Sequence, residues 1–201
     1  MHTPSTHPLA CRCGALQGSV ALIGSGNRLI CYCRDCQAFA RFLGQPDRVL
    51  DAQGGTEIVQ TAPDRVRFSQ GQEHLAVMRL SEKGMLRWYA ACCRTPLGNT
   101  MSSRGVPFVG LVHSCLASAP LEPDFGPVRA WVSTASALGE PKPQERGMAG
   151  LMFRAVSALI GSRLSGRYKR TPFFSAANTP VAVPVTVSDE ERRRLRLAPV
   201  A

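Results

Sequence analysis

The chain has 201 residues, of which 44% are hydrophobic, and a formal net charge of +10. This length and composition fit one globular domain with at most an appendage. The chain shows no repeated segment and no apolar run long enough to span a bilayer as a helix, so we expect neither a repeat architecture nor a transmembrane helix. A pI near 9.7 indicates attraction to polyanions or to an acidic small molecule, but it does not decide the fold.

The cysteines are the most informative residues of the chain. Seven of the eight fall into three tight motifs, and such spacing is typical of zinc ligands, because two thiolates of one turn can reach the same ion. A disulfide framework is the alternative, since the cysteine count is even. Residues 1–8 lack the charged start and apolar core of a secretory signal, so we expect a reducing cytoplasm and metal binding. The motifs are Cys11 with Cys13, Cys31 with Cys33 and Cys36, and Cys92 with Cys93.

The first half of the chain is predicted to be mainly β. Residues 11–14 end in a glycine that can take the positive φ of a tight turn. Apolar runs over 18–24 and 28–33 predict two strands, and residues 35–44 predict one or two helical turns. From Gly54 onward, apolar runs separated by turn residues predict an antiparallel meander, so that every cysteine motif borders a strand. Its strands are expected at 56–60, 65–70, 74–80 and 85–90, with one more at 106–114.

The second half of the chain has a different composition. Residues 117–144 are rich in Pro, Gly, Ala and Ser, which predicts an irregular linker or sheet extension with one strand over 128–133. Residues 145–201 are predicted to form a basic helical extension. Apolar residues recur at helical spacing over 148–160, so this helix is expected to pack on the sheet or in a homo-oligomer rather than in a membrane. Ser188 and Glu191 predict the capped start of a short basic helix.

The remaining candidate residues carry weaker signals. An unclustered thiol in an apolar run is typical of a buried core residue, and the same holds for a histidine there, although imidazole also binds zinc. Polar residues after a proline are expected to satisfy a local turn. We therefore expect Cys115 and His113 in the core, His74 exposed, Asn99 and Thr100 in a turn, and His2 and His7 in a disordered terminus.

The order of these motifs resembles a known family. A CxCG near the N-terminus, a CxCxxC motif, a glycine pair before the meander and a cysteine motif after an aromatic strand are similar to the glutathione-dependent formaldehyde-activating enzyme (GFA) family. That family includes the centromere protein V (CENP-V) domain. The likeness covers residues 9–100, within a predicted domain over 9–116. It implies a mainly β fold, a zinc-containing β-tent, with two metal sites of which one is structural and one is linked to activity.

Carried onto this chain, the resemblance assigns the structural site to Cys11, Cys13 and the last cysteine motif. The family usually shows FCxxCG there, whereas this chain has Cys92 and Cys93 followed by Arg94. Cys93 is then the matched ligand. The fourth ligand is Cys92, a water or none, because neighbouring residues of an extended strand point in opposite directions unless the chain turns.

The same resemblance assigns the activity-linked zinc to Cys31, Cys33 and Cys36. Three thiolates and an open fourth position would let a substrate thiol such as glutathione bind as thiolate, the form that adds to an aldehyde carbon. Arg34 would hold a substrate carboxylate or offset the charge of the thiolates. A second structural site is the alternative role of the three cysteines.

Two classes of function follow. The chain is either a zinc-dependent carbon-sulfur lyase or thiol-adduct enzyme, or a structural zinc module that binds a protein or nucleic acid through its basic surface. Against nucleic acid, the basic residues lack interleaved aromatics and lie on no recognised reader helix. We therefore expect the enzyme, with one or two zinc ions and a small-molecule thiol as partner.

Overall fold

The strands of the protein form two sheets. The computed structural model describes residues 5–22 and 27–197, and every structural statement below refers to them. The strands are β1 Thr6–Ala10, β2 Gln17–Ala21, β3 Asn27–Cys31, β4 Thr56–Thr61, β5 Val66–Gln70, β6 Leu75–Arg79, β7 Leu86–Ala90, β8 Thr95–Thr100, β9 Val109–Val112, β10 Ala130–Val132 and β11 Val185–Thr186. The α-helices are α1 Arg34–Phe42, α2 Pro46–Val49, α3 Leu121–Phe125, α4 Met148–Leu164 and α5 Asp189–Leu197.

The sheets differ in size and in the part of the chain that builds them. An eight-stranded sheet has the order β10-β3-β4-β9-β8-β7-β6-β11, and a three-stranded sheet has the order β1-β2-β5. The mainly β prediction is thus confirmed, but the meander is wrong for its first two strands, since β5 lies in the small sheet and β4 pairs with β3 and β9. Val66 and Phe68 of β5 are buried while Arg67 between them is exposed, and β2 pairs with this strand.

The apolar core lies where the two sheets face each other. Its largest cluster joins Val20 and Phe68 of the small sheet to Trp88 and Leu111 of the large one. The indole N–H of Trp88 is satisfied by the hydroxyl of Thr100 at 2.9 Å. The other face of the large sheet is covered by helices, and Phe39 and Leu43 of α1 pack there with Met78, Val187 and Leu195.

Three strands were not predicted, namely β1, β8 and the two-residue β11. All six residues of β8 are buried, so the turn expected at Asn99 and Thr100 is wrong. Gly98 explains part of this, because a Cβ at that position would lie 2.8 Å from the Gly110 carbonyl oxygen of the neighbouring strand. β1 contradicts the disorder expected around His7, whose ring is fully buried. His2 lies outside the described residues.

The contacts of His7 tie the N-terminal strand to distant parts of the chain. Its Nδ1 lies 2.6 Å from Oδ2 of Asp124 in α3, and its Nε2 lies 2.9 Å from the carbonyl oxygen of Leu116. The ring also packs against Phe125 at a centroid distance of 4.9 Å. Both ring nitrogens thus face acceptors, which keeps β1 in place although it is an edge strand of the small sheet.

The C-terminal segment contributes Phe173 and Phe174 to the largest apolar cluster, and Val187 and Leu195 to the cluster under α1. The predicted helix is present as α4, but of its apolar residues only Leu151 is buried. Met152 and Ile160 of this face are 52% and 51% exposed, so the single chain does not cover it, and its packing in a homo-oligomer stays a prediction. The predicted cap is confirmed, since the Glu191 N–H donates to the Ser188 hydroxyl at 3.1 Å. No described helix is long and apolar enough to cross a membrane.

Candidate metal centres

Four thiols converge where the small sheet meets the turn between β7 and β8. Cys11 follows β1, Cys13 lies in the turn after it, and Cys92 and Cys93 lie between the other two strands. The Cys11 sulfur is 3.5 Å from that of Cys13 and 3.7 Å from that of Cys92, and the Cys13 and Cys92 sulfurs are 3.4 Å apart. Tetrahedral thiolates about 2.3 Å from one zinc lie roughly 3.8 Å from each other. We call these four residues the tetrathiol cluster, and it could hold one metal ion.

A turn at residues 91–94 makes the double cysteine possible. Arg94 takes a left-handed conformation with φ 56°, so the chain reverses directly after the pair instead of continuing as a strand. Cys92 and Cys93 therefore point to the same side, with their sulfurs 3.9 Å apart. Of the three alternatives for the fourth ligand, Cys92 lies where its thiol could bind the same ion as the other three.

The side chain of Arg94 holds this turn against the first helix. Its guanidinium donates to the carbonyl oxygens of Leu43, at 3.1 Å, and Phe42, and it lies 5.3 Å from the centre of the Phe42 ring. Left-handed backbone is unfavourable for a residue with a side chain, by about 1 kcal/mol or more. The contacts with the end of α1 compensate for that strain.

Hydrogen bonds from the backbone and from Thr95 favour thiolate in the tetrathiol cluster. The Leu16 N–H donates to the Cys11 sulfur at 3.3 Å. Burial raises the pKa of Cys93, but the Thr95 hydroxyl and the N–H groups of Cys13 and Thr95 outweigh it and lower the pKa to about 6. The Arg12 N–H donates to the Thr95 oxygen at 3.0 Å, which orients the hydroxyl towards sulfur. Burial raises the pKa of Cys11 and of Cys92, so Cys93 is the thiol of this cluster that loses its proton most readily.

Three further thiols meet at the start of α1. Cys31 ends β3, Cys33 is the N-cap of the helix, and Cys36 lies in its first turn. Their sulfurs all lie within 4.8 Å of one another, and all eight cysteines of the chain are free thiols. We call these three residues the trithiol cluster, and it too could hold a metal ion. No fourth His, Cys, Asp or Glu of the described residues joins it.

The protons of the trithiol cluster are distributed unequally. Hydrogen bonds from Cys31 and Cys36 lower the pKa of Cys33, and the charge of Arg87 lowers it further. The Cys36 N–H also donates to the Cys33 sulfur, at 3.4 Å. The hydrogen bonds of the other two sulfurs and complete burial raise the pKa of Cys36. Cys33 at the helix N-terminus is thus the thiolate, as is common for cysteines in that position.

Arg87 is a functional candidate that the sequence did not reveal. It lies on β7, is 4% exposed, and donates to Oδ1 of Asn99 at 3.2 Å. Its guanidinium lies 5.7 Å from the centre of the Phe39 ring and 3.8 Å from the Asp35 carboxylate. In the run LRWYA the arginine is Arg87, and the alternation of this strand predicts that it faces solvent. It is buried because α1 covers that face of the sheet. Arg34, the predicted substrate contact, is an exposed neighbour of Cys33.

The glycine pair, Gly54 and Gly55, packs next to Tyr32, the residue between Cys31 and Cys33 of the trithiol cluster. Gly54 has φ +78°, and a Cβ on Gly55 would lie 2.5 Å from the Asp51 carboxylate and 2.6 Å from the Tyr32 ring. Oδ1 of Asp51 accepts from the Gly55 N–H at 2.8 Å, and the Tyr32 hydroxyl donates to Oδ2 of Asp51 at 3.3 Å. Burial raises the pKa of Tyr32 to about 12, with Asp51 adding to it. This packing fixes the residue between Cys31 and Cys33, and both glycines are required for it.

The other predicted candidates lie outside both clusters. Cys115 is a buried core thiol, as expected, and burial raises its pKa to about 12. His113 is half-buried and its Nδ1 lies 3.3 Å from the Glu57 carbonyl oxygen. His74 is half-exposed beside Glu73.

The fold and its thiols define a mainly β protein with two cysteine clusters, each of which could hold a metal ion. The chain belongs to a family of unknown function, DUF6151, which matches residues 4–140. No curated protein matches it. Among solved structures, a structural-genomics protein of Rhodobacter sphaeroides is similar, with 19% identity and a TM-score of 0.40 over 62% of this chain and 99% of that one.

Proposed function

We propose that the protein binds one zinc ion in each cluster and is a thiol-adduct enzyme or carbon-sulfur lyase that acts at the trithiol cluster. The observation that carries the proposal is the difference between the clusters. One offers four thiols, the number of a closed structural site, and the other offers three thiols at a helix N-terminus. The likeness of the motif order to the glutathione-dependent formaldehyde-activating family supports the same division, and with it a β-tent fold.

The tetrathiol cluster would have a structural role. Cys11 and Cys13 belong to the small sheet, while Cys92 and Cys93 belong to the large one, so one ion would join the two sheets. Binding energy at such a site is folding energy, because the unfolded chain has no preformed site. Two of its sulfurs are exposed, but four thiolates leave no position for a substrate.

The trithiol cluster would provide the chemistry. Zinc there would supply a Lewis acid that keeps a bound thiol as thiolate near neutral pH. In the reaction that such a thiolate performs with an aldehyde, a carbon-sulfur bond forms and the carbonyl oxygen takes up a proton. The lyase direction breaks that bond and returns thiol and aldehyde. A thiol of the glutathione class is the proposed partner.

The protein residues around the cluster would bind and orient this partner. Arg34 is exposed next to Cys33 and would contact a carboxylate of an acidic thiol. Arg87 is buried on the protein side and would stabilise the negative charge of three thiolates. Asp35 keeps Arg87 and Arg196 of α5 together, with its Oδ1 2.9 Å from the Arg196 Nε. The α5 helix thus helps to fix the charge arrangement.

A structural role for both clusters is the alternative, and one observation favours it. Cys36 is buried and packs with Leu29, Ile58 and Val132, as expected for a ligand that only holds the fold. The arginines of α5 speak against the nucleic-acid form of this alternative. Two of them are engaged within the chain, since Arg192 contacts Asp189 at 2.9 Å and the Leu80 carbonyl oxygen at 3.2 Å, and Arg196 contacts Asp35 at 2.9 Å.

Glutathione and formaldehyde test the proposal directly. Purified zinc-loaded protein should accelerate the equilibration of free and glutathione-bound formaldehyde, followed by exchange NMR. Cys33→Ser should abolish the acceleration, and Arg34→Gln should raise the glutathione KM with less effect on kcat. Cys115→Ala, which changes a thiol outside both clusters, should leave the rates unchanged. Rates equal to the uncatalysed exchange, in protein with full zinc content, would support the structural alternative.

A further inference from the structure

A cavity of about 560 Å³ lies between α4 and the loop that joins β8 to β9. Its volume is within the range of small-molecule sites, roughly 300–1,000 Å³. No cysteine lines it, so it is separate from both metal centres. Most of its wall is apolar and comes from Met101, Val106, Phe108, Met152, Val156 and Leu159.

A chain of polar side chains forms one end of this cavity. The Asn27 amide donates to Oε1 of Gln60 at 3.0 Å, and its oxygen accepts from Nε of Arg154 at 2.7 Å. The Asn27 amide also lies 3.3 Å from the carbonyl oxygen of Leu151, which ties β3 to α4. This network fixes the plane of the Arg154 guanidinium. Within residues 5–22 and 27–197, neither Nη group of Arg154 has a hydrogen-bond partner.

The charge of the cavity is positive. Arg154 and Arg65 line it, and no acidic residue does. Burial lowers the pKa of Arg65, which Asp64 opposes, so Arg65 is a cation partly removed from water. A fixed guanidinium whose Nη groups bond to no residue of the described part of the chain matches the two oxygens of a carboxylate. The polar end therefore favours an anion, while the remaining wall favours an apolar body.

The exposure of α4 indicates that the apolar wall has an occupant. Met152 is 52% exposed and Val156 is 48% exposed in the single chain, although both line the cavity. A contiguous exposed apolar surface next to a few fixed polar groups is typical of a binding site. A ligand in the cavity would cover these side chains and also contact Met101 and Val106.

We propose that this cavity binds a small amphipathic carboxylate, a molecule with a fatty-acid-like apolar body, whose carboxylate meets Arg154. The apolar body lies along α4 between Met152 and the loop at Val106. The Asn27 and Gln60 side chains position Arg154 for the contact. This site is independent of the metal centres, so it is expected to bind ligand in zinc-loaded protein whether or not the trithiol cluster is catalytic.

Calorimetry with dodecanoate below its micellar concentration tests the proposal, with dodecanol as the uncharged probe of the same chain length. We expect saturable binding of dodecanoate and at least roughly tenfold weaker binding of dodecanol, as for the loss of a charge-assisted contact. Arg154→Gln should weaken dodecanoate binding by a similar factor, and Arg154→Lys by less. Arg170→Gln removes one exposed positive charge outside the cavity and should leave the affinity unchanged.

Three results would overturn the proposal. One is equal affinity for dodecanoate and dodecanol. Another is an equal effect of Arg154→Gln and Arg170→Gln, provided that both variants melt as cooperatively as the wild type. The third is binding only to anionic phospholipid vesicles and its loss in Leu164→Ser. That residue is 84% exposed on α4 and lies outside the cavity, so this loss would identify a membrane surface as the occupant.

Discussion

The sulfur atoms of Cys11 and Cys92 lie 3.7 Å apart although 81 positions separate the residues in the chain. One belongs to the hairpin of the small sheet and the other to the turn between two strands of the large sheet. A shared ion would close this long loop and fix how the sheets face each other across the core. The consequences for stability and metal content can be measured residue by residue.

Cys92→Ser and Cys93→Ser are expected to destabilise the protein equally, because each removes one of four thiolates. Loss of a zinc ligand costs several kcal/mol, and at about 3 °C per kcal/mol for a chain of this size the melting temperature should fall by roughly 10 °C. Calorimetry of zinc-loaded proteins provides the measurement. Wild-type stability of Cys92→Ser together with a clear loss in Cys93→Ser would reject Cys92 as a ligand.

The trithiol cluster is expected to release its metal before the tetrathiol cluster does. Three thiolates bind less strongly than four, so a zinc-responsive dye in the presence of increasing chelator should report two phases. Cys33→Ser should remove the early phase and change the melting temperature little, whereas Cys13→Ser should lower it strongly. A single phase, with equal losses of stability in the two variants, contradicts the division of roles.

Arg94 allows a test of backbone strain in the turn that carries Cys92 and Cys93, made on variants of equal metal content. Arg94→Ala loses the contacts with the end of α1 and keeps a side chain at φ 56°, whereas Arg94→Gly loses the same contacts and relieves the strain. We expect the glycine variant to be more stable than the alanine variant by about 1 kcal/mol in urea unfolding. An alanine variant of equal or greater stability would show that the left-handed conformation carries no strain.

Asp124 and His7 test the anchoring of the N-terminal strand. Asp124→Ala leaves the buried His7 Nδ1 without its partner, which should cost about 1–3 kcal/mol of unfolding free energy. Glu122→Ala on the same helix alters an exposed carboxylate and serves as the control. Equal unfolding free energies of the two variants would mean that the contact contributes nothing to stability.

Local patterns in the sequence were sufficient to predict most strands and the grouping of Cys31, Cys33 and Cys36, whereas the grouping of Cys11 with Cys92 rested on the resemblance in motif order. The grouping of Cys31, Cys33 and Cys36 depends on one turn of the chain, and the strand from Leu86 to Ala90 depends on one short apolar run. Residues that are neighbours in the sequence determine such local features. For these features the prediction agrees with the structure. The division of metal chemistry between the clusters stays a prediction.

The features that the sequence did not reveal depend on distant contacts. His7 is buried only because α3 and Leu116 come to it from more than a hundred positions away. The buried state of Arg87 requires α1 on the outer face of the sheet. The strand at Asn99 requires neighbours on both sides, which overrides the turn preference of Pro96, Gly98 and Asn99.

Native mass spectrometry of the zinc content tests the central claim most directly. We predict two zinc ions for each wild-type chain, one for Cys33→Ser, and two for the control Cys115→Ala. Zinc counted in this way does not depend on knowing the substrate. A wild-type protein purified in the presence of zinc that carries one ion or none, and whose melting temperature does not respond to chelator, would contradict the account.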